Sequence, residues 1–141
     1  MKKLAFGIMI LCAVACSSTK NTTGSKPLYE VLTKQSTGGA TIRFYEILSE
    51  TKEIEMLKGD ETIAQKISDS DLTNSTFVIL NMGEQTTGGF RIDVDNVEET
   101  PDKIIITVKD ITPESGAMVT QAFTYPYSVV KINSRKPVEI N

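Results

Sequence analysis

The chain lacks the residue types on which much enzyme chemistry depends. Its 141 residues contain no histidine and no tryptophan, and only two cysteines. Histidine is the commonest general base and a frequent metal ligand, so its absence excludes Ser/His and Cys/His dyads and imidazole metal sites. A hydroxyl nucleophile would then need a lysine base, and the Ser49-x-x-Lys52 spacing is explained better by helix capping. The sequence therefore predicts a protein that is not an enzyme and carries no cofactor.

The first residues have the pattern of a signal peptide. Lys2 and Lys3 give a positively charged start, and an uncharged apolar run follows over residues 4–15. This run is well short of the ~20 residues that a helix needs to cross a bilayer. We therefore expect residues 1–15 to be a signal peptide that is removed.

Cys16 directly follows the small residue Ala15 and precedes a polar stretch. The run Ala13-Val14-Ala15-Cys16 resembles the bacterial lipobox, which implies that Cys16 receives a lipid with acyl chains such as palmitate. The alternative is an ordinary secretory peptide that happens to contain a cysteine. Each buried methylene contributes about 0.8 kcal/mol, so two or three chains hold a protein on a membrane. Ser17 resembles the residue that permits sorting to the outer membrane, so we expect a lipid-anchored protein of the cell envelope, on the periplasmic or surface face of that membrane.

Removal of the signal peptide leaves few reactive groups. Cys12 leaves with it and the Cys16 thiol is used by the lipid, so no disulfide, thiol nucleophile or thiolate ligand is expected. Loss of Lys2 and Lys3 also changes the net charge from −3 to −5. Nucleic-acid binding needs clustered basic residues, so an acidic protein is not expected to bind it. The predicted membrane contact is the lipid.

The remaining sequence predicts a tether followed by one β-rich domain. Residues 16–26 are mostly Ser, Thr, Asn, Lys and Gly and predict a flexible linker, and residues 27–141 predict a single domain. A helix is predicted over residues 49–59 with Ser49 as its N-cap, and a weaker helical piece over residues 61–66. Strands are predicted over residues 28–34, 41–48, 77–80, 90–95, 103–111, 118–125 and 127–132, with a loop over residues 69–71 and a loosely held tail over residues 133–141. The predicted fold class is mainly β, a small antiparallel β-sandwich or meander with one short α-helix packed on it.

The order of these strands predicts where the loops meet. If the strands from Thr76 onward alternate in direction, loops 83–89 and 112–117 lie at one end of the sheet. Residues 100–102 and Pro126 then lie at the other end. Binding sites of β scaffolds are usually formed by loops, so we expect the end with the Gly-rich loops to be functional.

The acidic residues do not predict a metal or catalytic site. Asp93 and Asp95, with Glu98 and Glu99 beyond them, lack the glycine and the final glutamate that an EF-hand calcium loop requires. Because Asp93 and Asp95 alternate with apolar residues, we expect them on the solvated face of a strand. No metal site is predicted.

The most distinctive segment is Thr86-Thr87-Gly88-Gly89-Phe90. Two glycines before a strand permit a positive φ and the close approach of another backbone. One hypothesis is a loop that binds a partner, and the alternative is a tight turn with no ligand. The run Gln35-Ser36-Thr37-Gly38-Gly39 is similar to Gln85-Thr86-Thr87-Gly88-Gly89, which indicates either an internal duplication or the same turn chemistry used twice.

A longer set of motifs resembles the PrcB-type family, the C-terminal domains of protease-complex subunits. The motifs are Leu80-Asn81-Met82-Gly83 with Thr86-Thr87-Gly88-Gly89-Phe90, then Ile104-Ile105-Ile106-Thr107-Val108, and then Thr120-Gln121-Ala122-Phe123-Thr124-Tyr125-Pro126-Tyr127. The resemblance covers residues 71–132. It implies a non-catalytic subunit, commonly a bacterial lipoprotein, that associates with a surface or periplasmic protease assembly. It supplies no catalytic residues.

A second resemblance concerns the same turn. Thr86-Thr87-Gly88 ahead of an aromatic residue is similar to the inhibitory loop of chagasin-type cysteine-protease inhibitors, which are also β-sandwiches. Gly89 intervenes before Phe90 in this chain, and the other inhibitory loops of that family are not recognisable. Protease inhibition is therefore the alternative function.

Overall fold

The computed structural model describes residues 25–141. The predicted signal peptide, the predicted lipidation site Cys16 and nearly all of the predicted tether lie outside the described residues. The strands are β1 (Tyr29–Gln35), β2 (Phe44–Leu48), β3 (Thr76–Asn81), β4 (Arg91–Glu99), β5 (Ile104–Ile111), β6 (Tyr127–Ile132) and β7 (Val138–Ile140), and the helices are α1 (Thr51–Leu57) and α2 (Asp71–Asn74), with a 3₁₀ turn at Ala64–Lys66. None of the helices within this part of the chain is long and apolar enough to cross a membrane.

The strands form two sheets, so the mainly β fold class is confirmed. One sheet has four antiparallel strands in the order β1-β6-β3-β2, and the other has the order β4-β5-β7. Strand β7 is parallel to β5, whereas β4 and β5 form an antiparallel hairpin around residues 100–103. The order of the first sheet is crossed, because β6 returns to insert between β1 and β3.

Strand β3 lies in the interior, as its continuous apolar sequence predicts. It pairs with β2 on one side and β6 on the other. Side chains alternate along a strand, so Val78 and Leu80 face the second sheet while Phe77 faces the helices. The core between the sheets comprises Val78, Leu80, Met82, Ile92, Ile104, Ile106, Val130 and Ile132. The core under the helices comprises Leu32, Leu48, Ile54, Ile63, Ile67, Phe77 and Val129.

Helix α1 is shorter than the helix predicted over residues 49–59, and its N-cap residue differs from the predicted one. The N-cap is Glu50 and not Ser49. The Glu53 carboxylate reaches back and accepts the backbone N–H groups of Ser49 at 3.1 Å and Glu50 at 3.0 Å. A glutamate at the third helical position stabilises these unpaired donors and the positive end of the helix dipole, so Ser49 has no capping role.

Helix α2 begins at Asp71, the last residue of the segment 69–71 that the sequence predicted as a loop. Asp71 is only 2% exposed, and its carboxylate accepts hydrogen bonds from the backbone N–H and the hydroxyl of Ser68, both at 2.8 Å, and from the hydroxyl of Ser75 at 3.1 Å. Burial opposes ionisation of Asp71, but these hydrogen bonds and the charge of Lys131 hold its pKa below the usual value. Asp71 is therefore a structural residue that fastens α2 to the sheet.

The prediction of a strand over residues 118–125 is wrong. Within this segment only Thr124 makes a bridge, to Gln85, and the side chain of Met118 is 98% exposed. The segment carries the chain from one sheet to the other, so its backbone groups bond to loops and not to a strand. The prediction that Pro126 lies at the end opposite the Gly-rich loops is also wrong. The Met82 N–H, directly after β3, donates to the Pro126 carbonyl at 2.9 Å, which places Pro126 at the same end as those loops.

The prediction of a loosely held tail over residues 133–141 is also wrong. Residues Val138–Ile140 form β7, and the backbone bonds continue beyond the strand at both ends. Ile104 N–H donates to the Pro137 carbonyl at 2.8 Å, and Asn141 N–H donates to the Ile106 carbonyl at 2.9 Å. Val138 and Ile140 pack against the core between the sheets, so the tail covers the outer edge of β5.

Candidate functional site

Three connecting segments meet at one end of the molecule. They are residues 36–43 before β2, residues 82–90 between β3 and β4, and residues 112–126 between β5 and β6. The last residue of β3, Asn81, is paired with the first residue of β6, Tyr127, which places all three segments at this end. We call these three segments together the loop end. The prediction that loops 83–89 and 112–117 share an end is thus confirmed.

The second and third segments are joined by backbone hydrogen bonds. Gln85 and Thr124 exchange two bonds, at 2.8 and 2.9 Å, and the Gly88 N–H donates to the Thr120 carbonyl at 2.8 Å. The Thr124 hydroxyl donates to the Thr87 carbonyl at 2.8 Å. Because these bonds span residues 85–88, the predicted binding loop is held along most of its length.

The first segment holds the other side of residues 112–126. The Tyr125 N–H donates to the Ser36 carbonyl at 3.0 Å, and the Gly39 N–H donates to the Tyr125 carbonyl at 2.9 Å. The Glu84 N–H donates to the Thr41 carbonyl at 2.9 Å. The stretch around residues 120–125 therefore lies between the two Gly-Gly turns.

Asn81 is a positioning residue that sequence reasoning missed. Its side-chain oxygen accepts the Ala40 N–H at 2.9 Å, and its amide nitrogen donates to the carbonyls of Ala40 at 3.0 Å and Ile42 at 2.6 Å. A buried amide needs such partners, because an unpaired polar group is costly in the interior. An asparagine at the end of an otherwise apolar strand was the available signal.

The five predicted binding residues are contiguous but differ in exposure. Thr86 is exposed, Thr87 is half-buried and Gly88 is buried. Gly89 is exposed with φ at +87°, which confirms that this glycine pair contains a positive φ. Phe90 is half-buried and packs on the core between the sheets. Thr86 is therefore the only one of the five with an exposed side chain beyond Cα.

Large apolar side chains are exposed beside this turn. Ile42 is 77% exposed, Met118 98% and Phe123 61%, and each belongs to one of the segments of the loop end. A concentration of exposed apolar side chains on a small protein is typical of an interaction surface. Sequence reasoning missed Met118 and Phe123 as site residues because it placed them in a strand.

Several charged groups in the loop end or next to it are paired. The Tyr125 hydroxyl donates to the Glu84 carboxylate at 2.9 Å, and this bond raises the pKa of Tyr125. Arg43 binds both oxygens of Asp110, at 2.7 and 3.0 Å, which raises the pKa of the guanidinium. Arg43 also lies over the ring of Tyr45, 5.4 Å from its centroid. These contacts stiffen the loop end and leave no unpaired acid or base among the residues just named.

The acidic residues considered as metal ligands are engaged elsewhere. Asp93 pairs with Lys34 at 2.5 Å and Asp95 lies 3.7 Å from Lys109. Within residues 25–141 there is no group of three or more Asp, Glu, His or Cys side chains placed to hold a metal ion. The first pair joins β1 of one sheet to β4 of the other, and the second pair joins β4 to its neighbour β5.

Comparison with known proteins identifies the segment that forms most of this site. Residues 76–133 match the PrcB C-terminal family. The chain is 39% identical over 67 residues to an uncharacterized protein of Methanocaldococcus jannaschii, and the match covers 47% of the chain and 40% of that relative's length. No solved structure matches. The matched family segment runs from β3 to just beyond β6, and the resemblance to the PrcB family is therefore confirmed for residues 76–133.

Proposed function

We propose that this chain is a non-catalytic, lipid-anchored accessory subunit of an envelope protease complex, and that it contacts its partner through the loop end. The observation that carries the proposal is the PrcB C-terminal match over residues 76–133, which contains two of the three segments of the loop end. The exposed side chains of Met118 and Phe123 lie in one of those segments. An accessory subunit needs such a surface and does not need a reactive centre.

The side-chain chemistry also favours a contact role. The sequence contains no histidine. Glu84 of the loop end is hydrogen-bonded by Tyr125, and Asp110 of the adjoining strand β5 is bound by Arg43, so neither carboxylate is poised to accept a proton from a substrate. The loop end presents apolar side chains held by a hydrogen-bonded backbone, which suits a preformed protein interface.

Protease inhibition receives no support and is not proposed. The inhibitory-loop hypothesis rests on Thr86-Thr87-Gly88, but the Thr87 carbonyl and the Gly88 N–H are bonded to Thr124 and Thr120 within the chain. A loop whose backbone is engaged in this way is not a free projection that enters a protease cleft. The family match does not extend to chagasin-type inhibitors.

The partner is tested by capture from detergent-solubilised envelopes with a C-terminally tagged full chain. We expect a protease or protease-complex subunit to co-purify, and the double variant Met118→Ser/Phe123→Ser to reduce its recovery about tenfold, because truncated apolar anchors cost most of an interface's affinity. Asp102→Ala, at the hairpin on the opposite end, is the matched surface control. Equal recovery with the double variant would place the partner surface elsewhere.

The anchor is tested separately from the partner. Cys16→Ser should abolish metabolic labelling with a palmitate analogue and release the chain from membranes, because the cysteine thiol is the proposed attachment point. Ser17→Ala should keep the label. Continued labelling of Cys16→Ser would contradict the lipid anchor and leave the proposed partner contact intact.

A further inference from the structure

The edges of the two sheets differ in how they are protected. An edge strand exposes a row of backbone N–H and C=O groups that can pair with another chain, and proteins usually protect such edges with bulges, charges, prolines or short strands. Within residues 25–141 the edge strands are β1 and β2 in the first sheet, and β4 and β7 in the second.

Three of these four edge strands have a feature that hinders pairing with another chain. Strand β1 has a register shift between Val31 and Thr33, and β4 has one between Val94 and Asn96. Strand β4 also carries charged or polar side chains along much of its length, and β7 has only three residues. Each of these features discourages the addition of a further strand.

Strand β2 has no bulge and no row of charged side chains. Its five residues pair with β3 residue for residue and without a register shift. It contains no proline, and Glu46 is its one charged residue. No other strand of the described part of the chain pairs with it, so one row of its backbone groups faces outward. Phe44 and Ile47, on opposite faces of the strand, are each 40% exposed.

Two adjoining grooves lie beside this edge. One, of about 300 Å³, lies between β2 and α1 and is lined by Glu46, Leu48 and Met56 among others. The second, of about 340 Å³, lies beside Phe44, and both grooves are lined by Leu57 and Ile79. Phe44, Glu46 and Leu48 share one face of β2, so the grooves follow the two-residue period of a strand. Strand addition takes its affinity from main-chain bonds and its specificity from such sites for alternate side chains.

The charge around the grooves favours a basic partner. Glu46 and Glu53 line the first groove and Asp60 lines the second. None of the three is in an ion pair within residues 25–141, although Glu53 accepts the capping bonds of α1 and Asp60 accepts hydrogen bonds from Thr62. A second copy of β2, paired antiparallel about its centre, would place Glu46 opposite Glu46, and like charges directly opposite are destabilising. The edge therefore fits a different chain.

We propose that β2 binds an extended segment of a partner protein, in which apolar residues alternate with lysine or arginine, and adds it as a fifth strand to the four-stranded sheet. Because alternate side chains of a strand face opposite sides of a sheet, the basic side chains lie on the side of the two grooves, where they meet Glu46, Glu53 and Asp60. The apolar side chains lie on the other side, next to the exposed Ile47. The second groove borders the loop end, because residues 38–40 also line it. The backbone edge of β2 and Glu46 lie outside the loop end, so binding at β2 does not depend on the function proposed for the loop end.

The experiment measures fluorescence anisotropy of a labelled eight-residue peptide of alternating Lys and Val added to the detergent-solubilised full chain. We expect saturable binding, at least tenfold weaker binding of the peptide with Glu in place of Lys, and loss of binding when alternate amides of the Lys-Val peptide are N-methylated, because backbone donors and charge both contribute. Equal binding of the N-methylated peptide would overturn strand addition.

Variants locate the binding at β2. Glu46→Lys should weaken binding of the Lys-Val peptide about tenfold, because it reverses the charge at the centre of the edge. Glu98→Lys makes the same change on the protected edge β4 and should stay within about twofold of the wild type. Thermal melting verifies that both variants fold. Equal loss in both variants would reduce the effect to net charge and overturn the site, and so would a β2-dependent dimer in sedimentation that the peptide does not displace.

Discussion

The two Gly-Gly turns have nearly the same sequence and different structures. In the turn at residues 35–39, Gly38 has the positive φ, at +97°, whereas in the turn at residues 85–89 it is Gly89, at +87°. Each turn is followed three residues later by an isoleucine, but Ile42 is 77% exposed and Ile92 is 1% exposed. The similarity is therefore one of sequence, because the two turns place the positive φ at different glycines, and it does not extend to a duplicated unit of structure.

The surroundings determine which glycine is constrained. A Cβ on Gly39 would lie 2.3 Å from the Asn81 side-chain oxygen and 2.7 Å from the Tyr125 carbonyl. A Cβ on Gly89 would lie 2.8 Å from the Pro113 side chain. Both turns pack against residues 112–126, one from each side, so the comparison shows how that crossing segment is held without being a strand.

The largest effect is expected for Gly39→Ala. The new methyl group would displace Asn81 and the backbone of Tyr125, and crowding of this kind costs about 3 kcal/mol of the free energy of unfolding. Urea denaturation measures the change. Gly116→Ala is the matched control, since Gly116 also lies at the loop end but has no atom near its Cβ position and costs only its positive φ, about 1 kcal/mol. Equal losses of stability in the two variants would show that contact with Asn81 and Tyr125 does not constrain Gly39.

The next largest loss of stability is expected at the second turn, where substitutions of its two glycines should differ in cost. Gly89→Val combines a positive φ with crowding against Pro113 and should cost about 2 kcal/mol or more. Gly88→Ala places its Cβ 3.3 Å from Thr120 without a positive φ, and should cost under about 1 kcal/mol. Thermal melting of the two variants gives the comparison. The reverse order would show that the constraint lies at Gly88.

A smaller effect on stability is expected for Thr86→Ala, because its side chain is exposed and makes no hydrogen bond among those described. We expect a change within about 0.5 kcal/mol. Under the proposed function the variant should still reduce partner capture. Ser49→Ala, which removes an exposed hydroxyl outside the loop end, is the matched control and should leave capture unchanged. Full capture by Thr86→Ala would assign the second turn a purely structural role.

The smallest effect concerns Tyr125, which lies between the two turns. Its bond to Glu84 raises its pKa above the ordinary value of about 10. A raised pKa means that the bond contributes stability at lower pH and loses it as the pH rises through the folded-state pKa. Ultraviolet titration of Glu84→Gln should show this pKa moving down, with Tyr125→Phe identifying the transition. An unchanged transition in Glu84→Gln would show that the bond is not formed in solution.

The sequence predicts the elements whose pattern reports their own burial. Strand β3 is apolar on both faces and the hairpin between β4 and β5 has a clear turn at residues 100–103, so both were located correctly. Residues 118–125 are rich in β-branched and aromatic residues, as the strands are, but Met118 and Phe123 face solvent. Nothing local distinguishes such an exposed segment from a strand. Strand β7 was missed because its three residues are too few to show the pattern of a strand.

The candidate site was predicted in part for the same reason. The glycine pair marks the second turn, because a positive φ has a local sequence signature. The exposed apolar side chains and the Asn81 contacts to residues 40–42 depend on tertiary packing, which gives no such signature. Prediction from sequence therefore found the turn and missed much of the surface around it.

The central claim is that the loop end contacts a protease-complex partner, and site-specific photocrosslinking tests it most directly. A photoreactive phenylalanine analogue replaces Phe123 in one full-length variant and Asp102, at the opposite end, in another, and crosslinked proteins from intact cells are identified by mass spectrometry. The account predicts a crosslink from position 123 to a protease or a protease-complex subunit and none from position 102. A crosslink to such a protein from position 102 alone would contradict it.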